Sequence, residues 1–265
     1  MNADVLTQYC VYADYPIFRW NIKRFRDKFQ KVILYPSRHH GVLDLEAFAK
    51  RQIKETWVEP VSIDYGVEDW RQAETIPMLK HAEAEWLLFM EQDFFVDDWQ
   101  RLYDDVGRAI ARGADAIGWW NQTAFPYLHP CFFLLKRELF ERTRNDFRAH
   151  PEIPGADHFA MLTRDIERLG GTIITLQSMG WENWVNAFHL GGLTYVYQDF
   201  KGKDTTIGVG NVEAFMAYNY WMRQAPGEQD REFLHVSKEV ESVLIEKFPD
   251  VDLGTAVRTW GRFFR

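Results

Sequence analysis

Hydrophobic positions in the first two thirds of the chain fall alternately into short unbroken runs and stripes of helical period. Residues 5–12 (VLTQYCVY), 31–36 (KVILYP) and 57–63 (WVEPVSI) are rich in β-branched and aromatic side chains, the composition of buried strands. Pro60 has no N–H for a ladder, so the third run predicts an edge strand or a break. After Pro16, the residues Phe18, Ile22, Phe25 and Phe29 recur at spacings of 4, 3 and 4, one apolar stripe of a helix. Residues 68–83 predict a helix, and 85–93 (EWLLFMEQD) a buried strand that ends in carboxylates. A helix over 99–112 and a short strand over 116–120 follow. Residues 131–135 predict a strand running directly into a helix through Phe140. The strongest helical signal is 157–169, where Phe159, Leu162, Ile166 and Leu169 are spaced 3, 4 and 3. Asp157 stands in place to cap it, Gly170-Gly171 to stop it, and 172–177 (TIITLQ) reads as a further strand.

Strands alternating with helices predict an α/β fold with a mostly parallel sheet covered on both faces. Beyond residue 199 the pattern changes. Residues 200–212 are Gly-rich and polar and predict a mobile loop, followed by helices over 212–223 and 237–248. With no repeat, low-complexity tract or clear linker, the expectation is one domain. Residues 1–199 form its sheet-bearing body, and 200–265 a loop and helical C-terminal extension.

Charge narrows the partners. The 265 residues hold 31 Lys+Arg against 39 Asp+Glu, a net charge of −8, which excludes a general nucleic-acid binder dependent on a basic surface. An anionic small molecule stays admissible, because a bound cation neutralises a phosphate locally. The basic residues Arg19, Lys23, Arg24, Arg26 and Lys28 fit the solvated face of their helix as well as a phosphate patch. Cys10 and Cys131 are too few for a disulfide framework and fit reduced, buried thiols. The opening residues MNADVLTQYC lack a basic start followed by an apolar stretch. The strongest apolar runs, 86–90 and 131–135, are far shorter than the about 20 residues of a membrane span. The expectation is a soluble, cytoplasmic chain without an integral membrane segment.

Several chemistries drop out for want of their motifs. No GxGxxG follows the first strand, and Gly202-Lys203-Asp204-Thr205 lacks the first Gly and the strand of a phosphate-binding loop. Neither GxSxG nor HExxH occurs. What remains is Glu91-Gln92-Asp93. Carboxylates one residue apart project to the same side of an extended strand, here at the C-terminal end where open α/β sheets bind ligands. Paired acidic oxygens suit a hard cation, Mg²⁺ or Mn²⁺, that keeps positions open for phosphate oxygens. Acidic residues also commonly mark a strand's exit to solvent, with Asp97 and Asp98 continuing a polar loop.

The order strand, helix, strand, helix and apolar strand ending in Glu-x-Asp resembles the nucleotide-sugar-binding half of GT-A glycosyltransferases. The stretch from Arg71 through Lys80-His81-Ala82 to Glu91-Gln92-Asp93 is similar to that family's helix and strand before its DxD-type metal motif. Residues 131–141 (CFFLLKRELFE) look like the segment that helps form its acceptor side. The likeness covers roughly residues 4–195, with short motifs. It implies a GT-A-like three-layer fold and a Mn²⁺ or Mg²⁺ ion held by Asp93, Glu91 and His189. Glu91 replaces the first Asp of the motif and is left to serve the metal, often through water, or the ribose. Asp64, Arg71 and Glu91 are implied as donor contacts. Asp157 is implied as the general base of an inverting enzyme, although the usual Glu-Asp pair is Ala156-Asp157 here.

Each role has a competitor in local chemistry. Asp157 also fits a helix cap, His189 a hydrogen-bonded core histidine, and Asp64 a turn before Gly66. His39-His40, before Gly41, fits a solvated loop better than a second metal site. The clusters Trp119-Trp120-Asn121-Gln122 and Trp181-Glu182-Asn183-Trp184 combine flat apolar faces with hydrogen-bonding groups, as a sugar requires, but Trp is also a core residue. Trp181 and Trp184 are the expected acceptor contacts, and Glu182 the alternative base. The resemblance implies a metal-dependent glycosyltransferase, inverting in preference to retaining. It would move a sugar from a UDP- or GDP-linked donor to a hydroxyl of a carbohydrate or other acceptor. A non-catalytic carbohydrate-binding or scaffold protein of the same fold, and a nucleotidyltransferase, are the alternatives.

Overall fold

The computed structural model describes residues 2–9, 21, 28–36, 58–60, 79–91, 93–121, 126–144, 146, 159–183, 185–189, 208–224 and 231–264. Its central element is β4 (Trp86–Met90), five apolar residues that are all buried, as a strand covered on both faces must be. β1 (Ala3–Tyr9) lies beside it in parallel, then β2 (Lys31–Pro36) and the edge strand β3 (Val58–Pro60), also parallel. Pro60 is thus tolerated where, among the described residues, no further strand of the sheet pairs outward. On the other side β7 (Tyr127–Lys136) runs antiparallel to β4, and β6 (Ala116–Asn121) antiparallel to β7. β8 (Ile173–Thr175) completes the order β3-β2-β1-β4-β7-β6-β8, parallel to β6. The two reversals around β7 leave β6 running with β4, so both strands end at the same edge of the sheet.

Helices cover both faces. α1 (Trp99–Ala111), capped by the Asp98 carboxylate on the Arg101 N–H, places Leu102, Tyr103 and Val106 against Val5, Val32, Leu88, Ile117 and Leu134. On the opposite face, α2 (Arg137–Glu141) and α3 (Ala160–Arg168) bring Leu139, Phe140, Leu162 and Ile166 to Leu6, Ile33, Leu87, Phe133 and Leu135. Adjacent residues of one strand therefore enter different cores, as the period of two requires. The expected three-layer α/β architecture is present.

A third apolar cluster belongs to the C-terminal helices α4 (Val209–Gln224), α5 (Arg231–Lys247) and α6 (Leu253–Trp260), the last continuing into a 3₁₀ turn over Gly261–Phe263. These helices pack on a separate two-stranded ribbon, β5 (Phe94–Val96) with β9 (Ala187–His189). Among the described residues no helix is long and apolar enough to cross a membrane.

Several boundaries differ from expectation. Helix does not extend to residue 83, because the Glu83 and Ala84 N–H groups turn to the buried Asp4 carboxylate at 2.7 and 2.9 Å. Phe159 is not part of its helix: it holds the cap position of α3 with φ 74°, its ring 5.5 Å from Phe89 and 5.2 Å from Phe133. Residues 209–211, expected in a loop, already form the first turn of α4. Cys131 is buried, as expected. Phe18, Ile22 and Phe25, most of the helix expected over 68–83, His39-His40, Cys10 and residues 200–207 lie outside the described residues.

Candidate metal centre

β4 ends at Met90, one residue short of the acidic pair. The two carboxylates therefore leave from a turn, not from extended strand as the sequence implies. The Glu91 N–H still donates to the Cys131 carbonyl at 3.1 Å, and the Glu91 carbonyl accepts from the Phe94 N–H at 3.2 Å. That second bond folds the chain back at once and starts β5. β5 recruits β9 in antiparallel register, with Phe94 opposite His189. A histidine far away in sequence is thereby delivered beside Asp93.

The result is a compact trio. His189 Nε2 lies 2.6 Å from Glu91 Oε2 and 3.0 Å from Asp93 Oδ1. One ligand atom from each of the three residues fits within 4.8 Å of the others. Asp93 is buried, while Glu91 and His189 are partly exposed, so the cluster opens to one side. Burial disfavours a charged imidazole, yet Asp93 and then Glu91, by charge and hydrogen bonding, override it and raise the His189 pKa well above its ordinary value. The pocket of negative charge thus already stabilises a cation.

The donor set suits a divalent ion. Oxygen and nitrogen ligands about 2.1 Å from an octahedral ion stand about 3.0 Å apart when adjacent and about 4.2 Å when opposite. The two His189 contacts, at 2.6 and 3.0 Å, lie near the adjacent-ligand spacing, and all three groups stay within 4.8 Å of one another. Two carboxylates with one imidazole form a donor set that a divalent cation can take. Three protein ligands leave positions for phosphate oxygens or water.

His129, which sequence reasoning missed, adjoins this centre. Its ring lies 5.6 Å from that of His189, and its Nδ1 accepts the Cys131 N–H at 3.1 Å. A histidine inside the otherwise apolar run of β7, two residues before the Cys131 that pairs with Glu91, was the available signal.

The remaining expectations divide. Trp181 is not placed to bind an acceptor. It is fully buried in the core beneath α1, its indole N–H donates to Asp105 Oδ2 at 3.0 Å, and the Arg101 guanidinium lies over its ring at 4.3 Å. No ring face remains for a sugar. The fixed indole instead explains a buried carboxylate in α1, which also pairs with Arg108. Glu182 is exposed and is not among the metal-site residues. Its backbone organises the turn into β9, its carbonyl accepting the N–H groups of Val185, Asn186 and Ala187. Trp119 is partly buried near the end of β6, its ring 6.1 Å from Phe94. Asp64, Arg71, Asp157 and Trp184 lie outside the described residues.

No protein-family model matches the sequence, and no curated protein matches it. Solved structures do resemble the fold. The mannosyltransferase PcManGT from Pyrobaculum calidifontis, in complex with GDP-Man and Mn²⁺, superposes with TM-score 0.51 at 16% identity, over 98% of this chain and 73% of that one. GalNAc-T7 with UDP, GalNAc and Mn²⁺ gives 0.49 at 12%, over 94% of this chain and 56% of that longer one. TarS 1-349 of S. aureus gives 0.44 at 11%, over 100% and 89%. The fold is that of the GT-A nucleotide-diphospho-sugar glycosyltransferases.

Proposed function

We propose that this chain is a metal-dependent glycosyltransferase that moves a sugar from a UDP- or GDP-linked donor to an acceptor hydroxyl. The observation that carries this is the convergence of Glu91, Asp93 and His189 at the C-terminal end of β4, where open α/β sheets bind ligands. Asp93, Glu91 and His189 would hold Mn²⁺ or Mg²⁺. Bound there, the cation would supply Lewis-acid neutralisation of the charge that builds on the departing diphosphate. PcManGT, a mannosyltransferase in complex with GDP-Man and Mn²⁺ on a similar fold, supports the assignment.

The rest of the reaction falls to side chains of this chain. Asp64 and Arg71 contact the nucleotide, and Glu91 serves the ribose as well as the ion. Asp157 takes the proton from the acceptor hydroxyl as its oxygen bonds to the anomeric carbon and the bond to the diphosphate oxygen breaks, inverting the centre. Glu182 is the alternative base. Trp184 offers an acceptor ring face, the role that burial denies Trp181.

Incubation of UDP- and GDP-sugars with the chain and Mn²⁺, without acceptor, tests this. Slow release of free sugar is expected, abolished by a chelator and by Asp93→Ala. Turnover indifferent to metal, or absent with every donor, contradicts it.

A further inference from the structure

A two-stranded ribbon with three residue pairs does not hold its own geometry in water. Yet β5 and β9 deliver two of the three residues of the metal centre: Asp93 immediately precedes β5, and His189 ends β9. Something outside the ribbon must fix it. Its alternation shows what does. Phe94, Val96 and Ala187 face the core of the main sheet. Phe95 and Phe188, a facing pair stacked at 5.2 Å, enter the C-terminal cluster instead. There the Phe188 ring is enclosed by Phe263 at 4.5 Å, Trp260 at 5.2 Å and Phe264 at 5.9 Å, and Phe264 also meets Phe95 edge-on at 5.1 Å. Phe264 is in turn seated on Tyr218 of α4 at 5.5 Å.

We infer that Trp260, Phe263 and Phe264 are positioning residues of the metal centre, clamping Phe188 so that the adjacent His189 stays within reach of Glu91 and Asp93. This rests on the metal-site reading above. His189 meets the carboxylates across a gap set by the position of β9, and among the described residues β9 is laddered to β5, with a single further bridge from Ala187 to Asn183. Close packing transmits displacement of one ring to the next, because a filled core has little free space to absorb it. The C-terminal helices thereby determine metal affinity although none of these aromatic side chains offers the ion a ligand.

Manganese titration followed by electron paramagnetic resonance of free Mn²⁺, well below the melting temperature and without nucleotide, tests this. Phe263→Leu and Phe264→Leu each leave a folded chain, checked by circular dichroism, and weaken Mn²⁺ binding about tenfold, the scale of losing an outer support of a metal ligand. Phe188→Leu weakens it from the ribbon's side. The double variant with Phe263→Leu loses less than the two singles added, since the residues act as one contact. Leu244→Ala, in the same cluster but on α5, and Phe140→Leu, across the sheet, lower the melting temperature while leaving Mn²⁺ affinity unchanged. Wild-type affinity in both Phe263→Leu and Phe264→Leu overturns the proposal. Equal weakening in Leu244→Ala also overturns it, because general loosening would then suffice. Failure of the wild type itself to bind Mn²⁺ overturns the metal site and the clamp with it, and is told apart by the wild-type curve alone.

Discussion

His189 sits where two carboxylates would otherwise repel one another, and each of the three side chains carries a different share of the site. Asp93 is the most enclosed, at 8% side-chain exposure against 19% for Glu91 and 27% for His189. Its oxygens have the least water to fall back on, so Asp93→Asn is expected to cost more Mn²⁺ affinity than Glu91→Gln. The expected losses are at least about 100-fold and about tenfold, measured by titration calorimetry, on the scale known for perturbed metal sites. Trp181 makes the opposite case. Trp181→Phe removes the indole donor from the buried Asp105 carboxylate and is expected to destabilise the fold by about 1–3 kcal/mol in urea unfolding, with Mn²⁺ affinity unchanged. The sequence offered Trp181 and Trp184 as equivalent aromatic faces. Trp181 is held in the core by a buried acidic partner on α1, which no local pattern around residue 181 discloses.

Elements explain why some of this was legible and some was not. β2 spans 31–36 as its apolar run implies, and α1 begins and ends within a residue of expectation, because strong local patterns fix both. β4 stops at Met90, short of the strand expected over 85–93, because the chain turns back at Glu91–Phe94 into β5, which pairs with β9, a contact between distant residues. For the same reason the ribbon, and with it the route by which His189 reaches Asp93, had no signature of its own. Two junctions can be tested. At the irregularity between Gly118 and Trp120, a Cβ on Gly118 would press on the Phe133 side chain and come within 2.9 Å of the Phe132 carbonyl oxygen. Gly118→Ala is therefore expected to cost about 1–3 kcal/mol in denaturant unfolding, the usual penalty of overpacking. At the junction of α2 and α3, burial alone would raise the Asp165 pKa, but hydrogen bonds from the Arg144 side chain and backbone N–H lower it overall. A carboxyl whose folded pKa is depressed stabilises the fold above its unfolded pKa of about 4, and that contribution is lost as pH falls through the folded value. The melting temperature should thus hold from pH 7 to 5 and fall below pH 4, and Arg144→Ala should lower it at pH 7 and flatten the acid limb.

At the scale of the whole molecule, the sheet order places the ends of β4 and β6 at one edge, and the C-terminal helices pack against the ribbon at that edge. The alternation of strands and helices made the layered α/β body readable from sequence. The antiparallel insertion of β7 was not readable, because its apolar run is equally consistent with either direction. Part of the aromatic excess, 16% of the chain, is placed by this architecture: Phe89, Phe133 and Phe159 on one sheet face, Phe94 and Phe132 on the other, and Phe95, Phe188, Trp260, Phe263 and Phe264 beneath the ribbon. The net charge of −8 has a local counterpart in a site that gathers two carboxylates around one imidazole. Such a site attracts a diphosphate only with a cation in place. Calorimetric titration of UDP and of GDP, with Mn²⁺ and with a chelator, tests that claim most directly. Binding of one of them only with Mn²⁺, abolished by Asp93→Ala in a chain that still folds, is the predicted result; no binding of either with Mn²⁺, or equal binding with the chelator, would contradict it.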